Sequence, residues 1–64
     1  MTGEELRILR KKYKYTQTEL AKEVGTKQSR ITEWETGVQE MGSITKKMFT
    51  LFFENIELKK QLQG

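Results

Sequence analysis

The chain has 64 residues, a formal net charge of +3 at pH 7, and neither cysteine nor histidine. A sequence this short is expected to form one small domain over residues 1–64, with a core that is marginal without a partner chain. The missing residue types exclude disulfides, thiolate nucleophiles and zinc–thiolate sites, and they remove the commonest general base. We therefore predict that the protein is not an enzyme and has no cofactor and no metal site.

Hydropathy and charge favour an intracellular protein with a slight bias toward anionic partners. No apolar run reaches membrane-spanning length, and the N-terminus lacks the apolar stretch of a signal peptide, so we expect a cytoplasmic protein without membrane contact. Basic residues gather in the first half of the chain, at Arg7, Arg10, Lys11, Lys12, Lys14, Lys22, Lys27 and Arg30. Acidic residues are interleaved with them, so charge alone is a weak indication of nucleic-acid binding.

An all-α fold is predicted, because proline and strand-like alternation are absent while Glu, Lys, Leu and Gln are common. The first helix should begin near Gly3, where Thr2 and Glu5 form a T-x-x-E capping box, and should end at residues 12–14. Its apolar face consists of Leu6, Leu9 and Tyr13, with Ile8 beside them.

A second capping box, formed by Thr16 and Glu19, predicts a second helix from Gln17 to about Val24. Gly25 follows as the stop, since the left-handed backbone region suits glycine best. The residues on the inner face of this helix are Leu20, Ala21 and Val24.

The third helix should run from a cap at Thr26 to about Thr36, with Gly37 as its stop. Ile31 and Trp34 are its only strongly apolar residues, a narrow stripe for a helix that merely fills a core. Their spacing favours a core position for Trp34 over a stacking role. Only about two residues separate the second and third helices, and so short a turn forces the steep crossing of a helix-turn-helix.

Residues 43–62 are predicted to form the C-terminal helices, as one helix or two, with Ser43 as a candidate cap. Their apolar residues exceed one narrow stripe, so some must face something other than the chain's own core. We expect those residues at a homodimer interface, chosen from Phe49, Phe52, Phe53 and Ile56. Spacing alone leaves open which of the phenylalanines fill the monomer core.

The segment LRILRKKYKYTQTELAKEVGTKQSRITEWETG resembles the Cro/repressor-type, or XRE, helix-turn-helix family of bacteria and their phages. The resemblance rests on LR..R in the first helix, TQ.ELA in the second, VG at the turn and S.I...E.G across the third. It implies a compact four- to five-helix lambda-repressor-like domain that binds double-stranded DNA, usually as a dimeric repressor. The tail departs from the commonest family form, since it lacks a proline-containing turn.

The polar side of the third helix has the residue types that read base edges. At 100° per residue, placing Ile31 and Trp34 inward turns another set outward. The outward residues are Gln28, Ser29, Thr32 and Glu33. The N-terminal residues of the second helix of a helix-turn-helix contact bases, and Gln28 can pair with adenine while Glu33 can accept from cytosine. An ordinary solvated face is the alternative interpretation.

Contacts to the DNA backbone follow from the resemblance and from position. Gln17 opens the second helix, where free amides favour an anionic oxygen. The other expected phosphate contacts are Lys27, Arg30, Thr36 and Gln39, with guanine as an alternative target for Arg30. The resemblance also implies a partly buried pair between Arg10 and Glu35, against which stands the alternative of two independent surface charges.

Two functions compete. The first is a sequence-specific repressor that binds a palindromic operator as a homodimer. The second is an antitoxin-type protein whose C-terminal helices bind a different protein and which regulates its own operon. The phenylalanine-rich tail is equally consistent with both hypotheses, because an exposed apolar surface does not indicate which protein covers it.

Overall fold

Four helices form the fold: α1 (Gly3–Lys12), α2 (Gln17–Val24), α3 (Gln28–Thr36) and α4 (Ser43–Gln63). The computed structural model describes residues 1–63, and Gly64, the last residue of the predicted domain, lies outside them. The all-α prediction is confirmed, and the C-terminal segment is one continuous helix rather than two. Over the described residues, no helix combines the length and the apolar character needed to cross a membrane.

Reciprocal hydrogen bonds begin α1 and α2 where the capping boxes predicted. Thr2 Oγ1 accepts from the Glu5 N–H at 3.1 Å, and the Glu5 carboxylate accepts from the Thr2 N–H at 3.3 Å. Thr16 and Glu19 make the same two bonds, at 3.0 and 2.9 Å. The backbone N–H of Thr16, followed by its hydroxyl, lowers the pKa of Glu19 by stabilising the carboxylate.

The starts of α3 and α4 differ from the predictions. Lys27, and not Thr26, occupies the N-cap position of α3, and its side chain makes no capping bond. Thr26 instead donates its N–H to the Ala21 carbonyl at 2.8 Å, which closes the C-terminal end of α2. Ser43 is the first residue of α4 rather than its cap, because the Gly42 carbonyl accepts the first helical bond.

Glycine occupies the two helix ends where the backbone turns left-handed. Gly25 ends α2 with φ +76° and Gly37 ends α3 with φ +80°, as the sequence predicted. Gly3 has a different reason to be glycine. A Cβ at Gly3 would lie 2.0 Å from the carbonyl oxygen of Trp34, so the start of α1 can touch α3 only without a side chain.

One cluster of buried side chains draws on all three short helices and on α4. The buried members are Leu6, Leu20, Ala21, Ile31, Met41, Phe49 and Phe53. Val24 and Trp34 are partly buried and pack against the same cluster. Ile8 is an exception among the predicted apolar positions, since it is 58% exposed and leaves α1 with a narrower inner face.

Aromatic side chains attach α4 to the rest of the molecule. The pairs, with distances between ring centroids, are Trp34 with Phe49 at 5.7 Å, Tyr13 with Phe53 at 5.6 Å and Tyr15 with Phe52 at 5.8 Å. Such pairs contribute about 0.5–1.5 kcal/mol beyond the area they bury. Both tyrosines therefore support α4.

The expected interface residues require a correction. Phe49 and Phe53 are 0% and 4% exposed, because they fill the space between α4 and the other helices. They are therefore unavailable to a partner. Phe52 and Ile56 are half-buried against the same core. The large apolar side chains that α4 exposes are different ones: Ile44, Leu51, Leu58 and Leu62.

Candidate nucleic-acid interface

The polar side of α3 faces away from the core. Ile31 is fully buried, whereas Gln28 and Ser29 are exposed in the first turn. Thr32 and Glu33 are half-buried one turn later. The structure thus brings the four residues predicted to read bases to one side of a short helix, with the two N-terminal ones most accessible.

Hydrogen bonds hold the first turn of α3 against the N-terminus of α2. The Gln28 amide donates to Gln17 Oε1 at 2.9 Å and to Thr32 Oγ1 at 3.1 Å. Thr32 Oγ1 also donates to the same Gln17 oxygen at 3.0 Å. Both hydrogens of the Gln28 amide are engaged in this arrangement, so Gln28 must release one bond before it can donate to adenine N7.

A buried ion pair continues this chain of bonds. Gln17 Nε2 donates to Glu35 Oε1 at 3.1 Å. Arg10 donates to the two oxygens of Glu35 from Nε at 2.6 Å and from Nη2 at 3.1 Å, and from Nη1 to the Tyr15 carbonyl at 2.9 Å. The side chains of Arg10 and Glu35 are only 11% and 3% exposed. The pair implied by the resemblance is present, and its two-point geometry fixes α1 against α3.

The N-terminus of α2 offers backbone donors beside this network. The first amides of a helix have no helical acceptor, and the aligned peptide dipoles add positive potential there. Gln17 and Thr18 contribute these amides, next to the bond between Gln17 and Gln28. An anionic oxygen placed at this helix end would lie close to the polar side of α3.

Basic side chains surround the polar side of α3. Lys27 and Arg30 are exposed at its start, as predicted. Arg7 and Lys11, which the sequence analysis counted among the clustered basic residues but not among the phosphate contacts, line the same surface cleft as Gln17. Arg7 and Lys11 are four residues apart and therefore lie on one side of α1, next to Arg10. This spacing identifies them from the sequence once Arg10 is recognised as the partner of Glu35.

Thr36 and Gln39, the two phosphate donors expected at the end of α3, differ in how they are hydrogen-bonded. The Thr36 hydroxyl donates to the Thr32 carbonyl at 2.8 Å, so its hydrogen is already used within the helix. A phosphate contact by Thr36 therefore stays a prediction, and it requires the hydroxyl to exchange this bond. Gln39 closes the end of α3 through its backbone N–H, which donates to the Glu33 carbonyl at 3.2 Å, and its side chain is exposed.

Comparison with known families decides what this arrangement is. A family model described as Helix-turn-helix matches residues 6–47, about two thirds of the chain. The chain belongs to this helix-turn-helix family. No curated protein and no solved structure matches it. The match confirms the resemblance to Cro/repressor-type proteins of the XRE family and identifies a DNA-binding regulator.

Within this helix-turn-helix protein, α2 and α3 are the motif and Gly25 lies in the turn. The second helix of such a motif enters the major groove with its N-terminal residues toward the bases, while the first crosses the backbone. That assignment fits the exposed first turn of α3 and the free amides at the start of α2. The family match ends at Lys47, so it contains only the first turn of α4.

Proposed function

We propose that the protein is a transcriptional repressor that binds a palindromic operator as a homodimer. The observation that carries the proposal is the exposed polar turn of α3, anchored to α2 by the 2.9 Å bond between Gln28 and Gln17. Residues 1–64 act as one DNA-binding domain, in which 43–62 complete the core and join two copies. Its place of action is the bacterial cytoplasm, on chromosomal or phage DNA.

Each polar residue of α3 has a role that suits its chemistry. Gln28 pairs with adenine, and Thr32 places its methyl group against a thymine methyl. Ser29 is short enough to follow either base of a pair. Glu33 accepts from the cytosine amino group, and its negative charge disfavours guanine and thymine, whose polar groups in the major groove are acceptors.

Phosphate contacts set the position of α3 in the groove. Gln17 and the first amides of α2 bind one phosphate, while Lys27 and Arg30 bind others beside α3. Gln39 donates from the far end of the helix. Arg7 and Lys11 extend the positive surface along α1, next to Gln17.

A homodimer is proposed because one domain this small covers too short a DNA segment for selectivity against a genome. Two copies related by a two-fold axis read a palindrome whose half-site centres are about 34 Å apart. Repression follows if the bound dimer excludes other proteins from a promoter.

An antitoxin-type protein is the second candidate. The exposed apolar side chains of α4 favour it, because they form a surface that a different protein can cover. Co-purification of a neighbouring gene product bound through α4, together with loss of the free homodimer, is the observation that would select this alternative.

The salt dependence of DNA binding tests the DNA-binding half of the proposal. Affinity should fall steeply as salt rises, because lysine and arginine contacts release counterions from the phosphates. Lys27→Ala should weaken binding to all sequences and reduce the log–log salt slope by about one. Lys60→Ala is the matched control, since it removes the same charge from the last turns of α4 and should leave the slope unchanged. Salt-independent affinity would contradict the proposal.

A further inference from the structure

Helix α4 has a second apolar side that the monomer does not cover. Ile44, Leu51, Leu58 and Leu62 are 84%, 50%, 55% and 87% exposed. Together with the half-buried Met48 and the exposed Asn55, they form what we call the seam: Ile44, Met48, Leu51, Asn55, Leu58 and Leu62. The steps between successive members are alternately four and three residues, which is the heptad spacing of a coiled coil.

The seam and the core-facing side of α4 lie on nearly opposite sides of the helix. At 100° per residue, the centre of the seam is about 150° from the side that carries Phe49, Phe53 and Ile56. Those three residues pack against the other helices. Met48, at the edge of the seam, also packs against the core. A partner on the seam therefore approaches α4 mainly from the side that faces away from α1–α3, and the buried core residues keep their places.

We propose that a second copy of this chain covers the seam, as a parallel, in-register, two-stranded coiled coil of two α4 helices. The proposal rests on the proposed homodimer and names its surface. The seam takes the place of Phe49 and Phe53 as the predicted interface, because those two side chains are buried in the monomer core. Most of the seam lies beyond residue 47, where the family match ends, so this means of pairing belongs to the part of the chain that the family model does not describe.

The residue types on the seam favour two parallel strands. Leu51 and Leu58 occupy d positions of the heptad, where leucine suits dimers. Asn55 occupies the central a position. A lone asparagine at an a position lowers stability but fixes the register and the number of strands, because each copy satisfies the other's amide only when the two are aligned.

Charges beside the seam select a second copy in parallel orientation. Glu54 is at a g position and Lys59 is at the following e position. In a parallel pair, Glu54 of each copy faces Lys59 of the other, which gives two attractive contacts. An antiparallel pair with full overlap instead places Glu54 against Glu54 of the other copy. The charge pattern is therefore complementary to itself in one orientation only.

The dimensions agree with one turn of DNA. Helices in contact have axes about 8–10 Å apart, and each α1–α3 body packs on the outer side of its own α4 at a similar distance. The two bodies are then centred roughly 30 Å apart across the two-fold axis. Half-sites one helical turn apart have centres separated by about 34 Å.

Leu51→Glu is the direct test, read by analytical ultracentrifugation on the full chain between about 1 and 300 µM. Wild type should be a dimer in the upper part of this range, and the variant should dissociate at least about a hundred-fold more easily, because two buried leucines are lost per dimer. Ile8→Glu is the matched control on α1, where the side chain is equally exposed but off the seam. It should leave the dimer unchanged, and circular dichroism should show both variants helical.

Charge reversal tests the pairing without touching an apolar residue. Glu54→Lys and Lys59→Glu should each weaken self-association by about ten-fold, since each brings like charges together twice. The mixture of the two single variants should form a heterodimer, and the double variant in one chain should recover wild-type association. Equal association of all four proteins would overturn the proposed contact.

Leu58→Cys tests the orientation. The chain has no other cysteine, and a disulfide needs Cα atoms within about 7 Å. Parallel, in-register helices meet this condition at position 58, whereas a fully overlapped antiparallel pair places residue 58 near residue 48. Rapid oxidation to a covalent dimer that still binds DNA supports the seam. Failure to cross-link a chain that sediments as a dimer would overturn it.

The outcomes separate the seam from the proposed function. A chain that is monomeric up to 300 µM, alone and on DNA, yet selects a DNA sequence, overturns the seam and leaves DNA reading intact. A chain that dimerises through Leu51 but ignores DNA supports the seam and contradicts the repressor. A dimer that Leu51→Glu leaves unchanged would show that the two copies meet at another surface, and it would overturn the proposed seam.

Discussion

At the scale of single residues, Gln28, the proposed base reader, is joined to a buried ion pair by a continuous series of hydrogen bonds. Gln28 binds Gln17, Gln17 binds Glu35, and Glu35 binds Arg10. The series spans α3, α2 and α1, so the position of Gln28 depends on a contact in the interior. Holding Gln28 near its proposed contact before binding lowers the entropy lost on the DNA, and only one of its two amide bonds has to be exchanged for the base.

Glu35→Gln tests the importance of this ion pair. The substitution keeps the shape but removes the charge, so Arg10 is left largely buried without its counter-ion. We expect the free energy of unfolding to fall by about 3 kcal/mol, a large share for a domain of this size. Urea denaturation measures the loss, and Glu23→Gln on the exposed side of α2 is the control. A loss below that of the control would show that the pair contributes little.

Tyr13 and Glu57 form a second polar contact, between α4 and the residue that caps α1. Tyr13 donates its hydroxyl to Glu57 Oε2 at 2.6 Å. This bond raises the pKa of Tyr13 above its ordinary value of 10.0, and it lowers the pKa of Glu57 below 4.5, with further lowering by Lys12 and Lys60. The bond therefore couples the attachment of α4 to pH.

Tyr13→Phe should remove this coupling. A lowered Glu57 pKa stabilises the fold above the ordinary value of 4.5, and this is lost as pH falls through the folded value. A raised Tyr13 pKa stabilises the fold below 10.0, and this is lost as pH rises through the folded value. The variant should thus be less stable than wild type at pH 7, with a smaller difference at pH 3 and above pH 10. Urea midpoints at a series of pH values measure it, and a constant difference would contradict the account.

At the scale of elements, the sequence predicted the starts and ends of helices correctly where these depend on residues close by in the chain. The capping boxes at Thr2 and Thr16 and the stops at Gly25 and Gly37 depend on neighbours within four residues, and all were predictable. The first turn of α3 was not, because Thr26 is held by the Ala21 carbonyl at the end of the preceding helix.

Longer-range packing explains the remaining differences. Periodicity showed that α4 has more apolar residues than one core needs, but it could not say which side the other helices would occupy. That choice depends on where Trp34, Tyr13 and Tyr15 place their rings, which is a tertiary matter. Arg7 and Lys11 were missed for the same reason, since their closeness to Gln17 depends on how α1 crosses α2.

Two glycine substitutions distinguish the free energy lost to a strained backbone from the free energy lost to a steric clash. Gly25→Ala should destabilise by about 1–2 kcal/mol, because alanine is strained at φ +76° although its Cβ would meet nothing within 4 Å. Gly3→Ala should destabilise more, because its Cβ would collide with the Trp34 carbonyl and push α1 away from α3. Thermal unfolding of the two variants compares the two losses. The reverse order would contradict the proposed close approach.

At the scale of the whole molecule, the proposed DNA-binding and pairing roles fall on different helices. α2 and α3 present polar and basic groups for DNA, while α4 serves the core on one side and exposes an apolar seam on the other. With 21 residues at about 1.5 Å each, α4 is roughly 31 Å long. That length is most of the 37 Å long axis of the molecule, so a contact along α4 can align two copies firmly.

Selection of bound sequences from a random DNA pool tests the central claim, that α3 reads DNA sequence through Gln28. Wild type should enrich a palindrome whose half-site centres are about 10 base pairs apart. Gln28→Ala should keep the palindrome but lose the preference at one position in each half-site, a change of roughly 1–3 kcal/mol there. No enrichment by the wild type, or an identical enriched sequence for Gln28→Ala, would contradict the account.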